Sequence, residues 1–149
     1  KQRLGQILHQ PSLADVEVFI RDTVEPALHE VAAEMQRRGC QASVAKQDDG
    51  GIVLTVPQQN LRDFVYGVHA HARPVASFAL RDANLPASER KQTFEPVTFF
   101  ADGRRGYDIE YLRQEELIAD VLKQYERYLS LSQSQQTHLI NTSPEHLPA

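Results

Sequence analysis

Hydrophobic residues recur every three or four positions through the first quarter of the chain, which is the spacing of one face of an α-helix. Ser12 precedes this segment as a candidate N-cap, and Asp15 completes a variant of the capping box. The spacing therefore predicts a helix that begins at Leu13. Its apolar stripe consists of Leu13, Val16, Ile20, Val24, Ala27, Leu28, Val31 and Met35.

Two residues are expected to shape this helix. Pro26 lacks an N–H and crowds the carbonyl oxygen of Asp22, so we expect a kink or a restart near Thr23. Gly39 follows two arginines, an order typical of a helix end, because cations suit the last turn and glycine suits the position after it. The sequence thus predicts a proline-kinked helix that stops at Gly39.

From Cys40 onward the hydrophobic period changes from that of a helix to that of a strand, which is two residues. Turn signals separate the apolar segments, and the clearest is Asp-Asp-Gly-Gly at 48–51. Pro96 suggests that the last strand lies at an edge or contains a bulge. The predicted strands cover residues 40–44, 52–56, 64–71, 75–80 and 93–101.

A second helical stripe lies near the end of the chain, after an ambiguous segment at 107–112. Burying its six side chains, at roughly 1.5 to 3 kcal/mol each, contributes on the order of 10 kcal/mol before entropy. That is enough to hold a helix against a sheet. The stripe consists of Leu117, Ile118, Val121, Leu122, Tyr125 and Leu129.

This order of elements predicts an α+β fold, in which an antiparallel meander of about five short strands is flanked by the N-terminal proline-kinked helix and a C-terminal helix. We expect residues 12–131 to form one domain. Residues 1–11 are interpreted as a basic lead-in that carries Lys1 and Arg3. Residues 132–149 are polar and are predicted to be a disordered tail.

Composition restricts the function further. The chain has 149 residues and a formal net charge of −4, and its basic residues are not interleaved with aromatic ones, so nucleic acid is not an expected partner. Cys40 is the single cysteine, which excludes an internal disulfide and fits a reducing compartment. The sequence has no apolar run of about 20 residues. It begins at Lys1 without an initiator methionine, and we interpret it as a piece of a longer protein.

The sequence offers no recognisable catalytic set, and we expect no cofactor and no metal site. His69 and His71 are predicted to share one strand face. Because an unperturbed imidazole titrates near about pH 6.5, these two are candidate pH-sensing residues. Half-exposed strand histidines without a role are the alternative.

The sequence Asp-Gly-Arg-Arg-Gly at 102–106 predicts a turn with two adjacent cations, Arg104 and Arg105. Glycines and cations together could hold a phosphate in a backbone nest. The segment lacks the Lys and Ser/Thr of a P-loop, so a solvated turn is the competing interpretation.

Three segments, taken together in their order and spacing, resemble one protein family. They are VEPALHEVAAEMQRRG, then FVYGVHAHARPVASFALR, and then TFEPVTFF followed by a helix that ends in KQYERYL. They resemble the soluble C-terminal domain of BetT-type choline transporters, members of the betaine/choline/carnitine transporter family. The resemblance runs from about Leu13 to Leu131.

The resemblance implies a parent in the bacterial inner membrane, with a multi-pass transmembrane core that imports choline with protons as a precursor of an osmoprotectant. It assigns to this domain the regulation of transport by osmotic conditions from the cytoplasmic side. The transmembrane core is then the expected partner. Such cores tend to form trimers, and whether this domain itself forms a homo-oligomer is left open.

We expect the domain to dock reversibly on the core or on anionic lipid head groups through contacts that salt weakens. A stand-alone domain for small-molecule binding or assembly, with a pocket between sheet and helices, is the alternative. The candidate docking surface consists of Lys1, Arg3, Arg37, Arg38, Arg104 and Arg105.

Overall fold

A computed structural model describes residues 11–74 and 92–141, except for the side chains of 74 and 135–141. Its first half begins with a helical segment of three parts: the α-helix α1, Leu13–Phe19, a π-helical turn, Ile20–Val24, and the α-helix α2, Glu25–Arg37. The other elements are four strands, β1 Ser43–Lys46, β2 Ile52–Val56, β3 Phe64–Pro74 and β4 Gln92–Phe99, and a last helix, α3 Gln114–Asn141.

The start of α1 is the predicted capping box. The Ser12 N–H donates to Asp15 Oδ2 at 2.9 Å, and the Asp15 N–H donates to Ser12 Oγ at 3.2 Å. The predicted interruption at Pro26 takes the form of the π-helical turn, in which the Glu25 N–H bonds to Ile20 O. A π-helical turn widens the helix just before the proline, where the ring would otherwise crowd the preceding turn.

The helix ends where the glycine was expected to end it. Gly39 has φ +91°, its N–H bonds to Gln36 O at 3.0 Å, and the Cys40 N–H bonds to Met35 O at 2.9 Å. These two bonds form a Schellman motif, which satisfies carbonyls that the end of a helix leaves without partners. The chain then turns directly into β1.

The sheet is an antiparallel meander in the order β1-β2-β3-β4, so the predicted fold class is confirmed. The described residues contain four strands rather than about five. The strand predicted at 75–80 lies outside the described residues. Residues 107–109 run beside β4 instead, with an isolated bridge from Val97 to Asp108 and a 3.0 Å bond from the Ile109 N–H to Pro96 O.

The helices cover one face of the sheet, and two side chains of the predicted stripes do not reach the core. Leu13 and Leu122 are both 42% exposed. Gln124, Tyr128 and Ser132 of α3 are buried instead, because turns from the sheet pack against that side of the helix. α3 also continues to Asn141, beyond the domain boundary predicted at Leu131.

The meander separates the turns into two groups at opposite ends of the sheet. The β1–β2 turn, 47–51, follows the pairing of Lys46 with Ile52. The β2–β3 turn, 57–63, lies at the other end, where Val56 pairs with Phe64. Phe99 at the end of β4 pairs with Gly67, so the segment after β4 leaves the sheet near the β2–β3 turn.

Candidate functional site

The turn after β4 is fixed by its own arginine. Arg104 pairs with Asp102 at 2.7 Å, donates to Gln124 Oε1 at 2.8 Å, and places its guanidinium 4.5 Å from the centre of the Phe100 ring. Its side chain is only 23% exposed. Arg104 is therefore a structural tie between the turn and α3, and much of its charge is engaged within the domain.

A carboxylate on α3 fixes the same region from inside. Asp120 Oδ2 accepts from the Tyr66 hydroxyl at 2.6 Å and from the Tyr107 hydroxyl at 2.5 Å. Burial raises the pKa of both tyrosines, and the adjacent Asp120 raises it further, so both hydroxyls remain protonated donors. Since the three residues belong to β3, the 107–109 segment and α3, this cluster joins three parts of the fold.

Arg37 and Arg38 share one acidic partner at the end of α2. Glu34 accepts from both guanidinium groups, including a 3.1 Å contact with Arg38. The hydrogen bonds from Arg37 first, and from Arg38 next, lower the pKa of Glu34. The two arginine side chains are 66% and 76% exposed. They present one net positive charge to solvent rather than two.

Arg105, by contrast, is exposed and has no ion pair with any residue of the described ranges. No hydrogen bond or ion pair between described residues joins Arg104 or Arg105 to Arg37 or Arg38. All four nevertheless lie at the same end of the molecule. The end of α2 leads directly into Ser43, which pairs with Thr55 beside the β2–β3 turn.

Sequence reasoning missed three further cations at this end. Arg62 lies in the β2–β3 turn and donates to Ala101 O at 3.4 Å, which places it against the turn of Arg104 and Arg105. Lys123 and Arg127 are exposed and lie three positions after Asp120 and Gln124, hence beside them on the surface of α3. Only the tertiary contacts of Gln124 and Tyr128 with Arg104 and Arg62 reveal this proximity.

We call this end of the molecule the basic end. Its cations outnumber its carboxylates. Two of these carboxylates already form ion pairs, Glu34 with Arg37 and Arg38, and Asp102 with Arg104. The basic end comprises Arg37, Arg38, Arg62, Arg104, Arg105, Lys123 and Arg127, with the carboxylates Glu34, Asp63, Asp102, Asp120 and Glu126 among them.

At the opposite end of the sheet, carboxylates outnumber cations among the described residues. Glu25 pairs with Lys46 at 3.4 Å and Asp22 with Arg21 at 2.8 Å, which leaves the first turns of α1 and the β1–β2 turn with an excess of carboxylates. That excess is carried by Glu17, Asp48 and Asp49. The described residues are thus electrically polarised along the strands.

The two predicted histidines lie on the sheet face away from the helices. The ring centres of His69 and His71 are 6.3 Å apart, and His69 also meets the Phe99 ring edge-on at 5.5 Å. His71 pairs across the strands with Glu95, whose pKa is raised by burial first and by Asp108 next. The histidines therefore lie near a carboxyl pair and outside the basic end.

A groove of about 410 Å³ opens between α1 and the β1–β2 turn. Its wall carries charges of both signs, Glu17, Arg21, Glu25 and Lys46, beside apolar side chains such as Val18 and Ile52. It is therefore at the acidic end and not in the interior between sheet and helices.

Two further features are absent from the described part of the chain. No helix in residues 11–74 or 92–141 combines the length and hydrophobicity needed to cross a membrane. No three His, Cys, Asp or Glu side chains of the same ranges converge so as to hold a metal ion. Lys1 and Arg3, the remaining candidates of the predicted docking surface, lie outside these ranges.

A small α+β domain with one basic and one acidic end is the class that this geometry defines, and comparison with known proteins relates it to transport proteins. The chain is 38% identical over 135 residues to an uncharacterized transporter of Haemophilus influenzae and 32% identical over 130 residues to a glycine betaine transporter of Acinetobacter baylyi. An osmo-dependent choline transporter of Acinetobacter baylyi, BetT2, is 24% identical over 154 residues.

These matches cover 88%, 87% and 99% of this chain but 20%, 19% and 21% of the relatives. The chain thus spans about a fifth of the length of the curated relatives that it matches. No protein-family model matches it. The resemblance given by the three sequence segments is confirmed: nearly the whole chain is similar to one segment of proteins named as choline or glycine betaine transporters.

Proposed function

We propose that this chain is the cytoplasmic regulatory domain of a proton-coupled choline or betaine transporter, and that it adjusts uptake to osmotic conditions. One observation carries the proposal. Nearly the whole chain matches about one fifth of the length of individual transport proteins, and one of these proteins is named as osmo-dependent. The domain is one unit, residues 12–131, and residues 1–11 connect it to the transmembrane core.

The polarity of the domain supplies a physical means of regulation. Screening shortens the reach of surface charges from about 10 Å at 0.1 M salt to about 3 Å at 1 M. A cell that loses water concentrates its internal ions, so a contact made by the basic end weakens as osmotic stress rises. The domain then changes its position relative to the core, which is its main partner.

The domain has no enzymatic role in this proposal. Asp120 accepts hydrogen bonds from two tyrosines that burial keeps protonated, and Arg104 is paired, so the most ordered polar cluster serves to hold elements together. In this proposal, transport is carried out by the rest of the full-length protein, which in the relatives is about four fifths of the length.

Uptake of choline by the full-length parent, measured against external osmolality with and without residues 13–149, tests this function. We expect the truncated transporter to retain uptake and to lose its dependence on osmolality. An unchanged dependence, with normal amounts of transporter in the membrane, would contradict regulation by this domain.

The groove beside α1 supports a second candidate, a small-molecule binding or assembly domain. Its mixture of carboxylates, cations and apolar side chains suits a zwitterionic ligand. If truncation leaves the osmotic response intact, calorimetric titration of the chain with choline and with glycine betaine tests this candidate. Saturable heat that is lost in Glu17→Gln would support it.

A further inference from the structure

The basic end gathers cations from four separate parts of the chain: the end of α2, the β2–β3 turn, the turn after β4 and the exposed side of α3. The fold brings them together across the width of the sheet. Their distribution over the described surface is broad. The cavity between Arg62, Arg104 and Tyr128 has a volume of only about 20 Å³, room for one water at most.

We propose that the basic end docks on an anionic lipid bilayer. This inference rests on the proposed function, which places the domain next to a membrane, and it specifies the surface and the partner. A broad array of exposed cations matches a plane of head groups, whereas a single phosphate would require a concave site with converging donors. The residues that make the contact are Arg37, Arg38, Arg62, Arg105, Lys123 and Arg127.

The opposite charge of the other end orients the domain. Glu17, Asp48 and Asp49 are repelled by the same lipid surface that attracts the basic end. A polarised domain held near a bilayer therefore turns its basic end toward the lipid. Arg104 contributes less to this contact than Arg105, because its guanidinium is already bound to Asp102 and Gln124.

The described chain begins far from the basic end. Pro11 O accepts from the Phe94 N–H at 3.0 Å, and Phe94 pairs with Ala72 of β3. Phe64, beside the β2–β3 turn, is eight strand positions from Ala72, about 26 Å at about 3.3 Å per residue. The basic end is therefore distant from residues 1–11, through which the domain is proposed to join the core. Docking and release at the basic end would change the orientation of the domain relative to that core.

Each cation near an anionic surface contributes about 1 kcal/mol, and salt reduces this value. The excess of cations at the basic end is small, so binding by a free chain is weak and strongly dependent on salt. Attachment to the membrane raises the effective concentration and makes a contact of this strength sufficient.

The test is co-sedimentation of the 149-residue chain with vesicles of phosphatidylcholine alone and of phosphatidylcholine mixed three to one with phosphatidylglycerol. We compare one double variant, Arg105→Glu together with Arg127→Glu, with a matched double variant, Arg73→Glu together with Arg113→Glu. Both double variants reverse two exposed arginines and change the net charge equally, but only the first pair lies at the basic end. Circular dichroism confirms that both variants fold.

We expect the chain to bind the anionic vesicles at low salt, and to lose binding near 1 M salt, where the screening length is about 3 Å. The basic-end variant should bind about tenfold or more weakly, and the matched variant within about twofold of the original chain. Equal binding to neutral vesicles, no binding to anionic vesicles, or an equal loss in both variants would overturn the proposal. Loss of osmotic control on truncation, combined with no lipid binding, would leave the regulatory function standing and move the docking site to the transmembrane core.

Discussion

The contacts of several side chains in this domain cannot be predicted from the residues that flank them in sequence. Arg104 and Arg105 are neighbours in the same turn, yet Arg104 is bound between Asp102, Gln124 and the Phe100 ring, while Arg105 is exposed and has no ion pair with a described residue. Asp120 lies next to the predicted apolar stripe of α3, and its carboxylate accepts hydrogen bonds from two tyrosine hydroxyls. The difference in each case arises from what a distant segment brings to the side chain.

Glu95 gives a prediction at this scale. Burial, and then the nearby Asp108, raise its pKa in the folded state, while Arg73 and His71 act in the opposite direction. A carboxyl with a raised pKa in the folded state contributes stability that is complete below its unfolded pKa, about 4.3, and is lost as pH rises through the folded value. Glu95→Gln keeps the neutral form at every pH and should not lose this contribution.

Urea unfolding of the original chain and of Glu95→Gln across a series of pH values measures this effect. We expect the stability of the variant relative to the original to increase as pH rises above about 4.3, and then to level off once the folded carboxyl has ionised. If the difference in unfolding free energy between the two proteins stays constant with pH, or changes in favour of the original chain, the pKa of Glu95 is not raised in the folded state.

At the scale of elements, the helices follow the sequence closely where local signals specify them. Ser12 with Asp15 begins α1, and Gly39 ends α2, because capping and a positive φ are properties of neighbouring residues. The contact face of α3 was predicted less well. Periodicity places Leu122 in the stripe, but the β2–β3 turn and the turn after β4 pack on the other side and bury Gln124 and Tyr128.

This contrast predicts opposite outcomes for two adjacent substitutions in α3. Val121 is fully buried, so Val121→Asp places an unpaired carboxylate in the core and should cost more than about 4 kcal/mol, enough to unfold the domain. Leu122→Asp, the matched control at an exposed position, should change stability by less than about 1 kcal/mol. Thermal unfolding of the two variants decides the matter, and an unaltered melting temperature for Val121→Asp would refute the core assignment.

The sheet was predicted in type and order, and less well in number. Strands 52–56 and 64–71 alternate clearly between apolar and polar positions, and both are present. The pairing of residues 107–109 beside β4 has no sequence signal, since it depends on single hydrogen bonds from Thr98 to Tyr107 and from Ile109 to Pro96. Such contacts follow from the position of the whole segment and not from its composition.

At the scale of the whole molecule, the notable property is the separation of charge along the strands. A meander places alternate turns at opposite ends, and this chain carries Asp48 and Asp49 in one turn and Arg62 in the next. The helices extend the same polarity, with Glu17 on α1 and Arg127 on α3. This separation of charge cannot be inferred from the net charge of −4.

Together with the proposed function, the polarity leads to a prediction for a full-length transporter that contains this chain. Arg105→Glu with Arg127→Glu should shift the osmolality at which choline uptake is activated, because it removes the contact that salt is proposed to release. Arg73→Glu with Arg113→Glu, with the same change of net charge, should leave that activation point unchanged. Uptake assays at graded osmolality measure both, and equal activation curves for all three proteins would contradict a role of the basic end in regulation.

The sequence by itself determined the start of α1, the end of α2, the strand order, the α+β class and the resemblance to BetT-type transport proteins, because capping, periodicity and turn residues act over a few neighbouring positions. The tertiary structure alone decided which cations cooperate. Arg38, Arg62, Arg105 and Arg127 are far apart along the chain, and they come to one end only because the meander and the docking of α3 place their segments there. Charge acts through space over about 10 Å, a distance for which order along the chain is no guide.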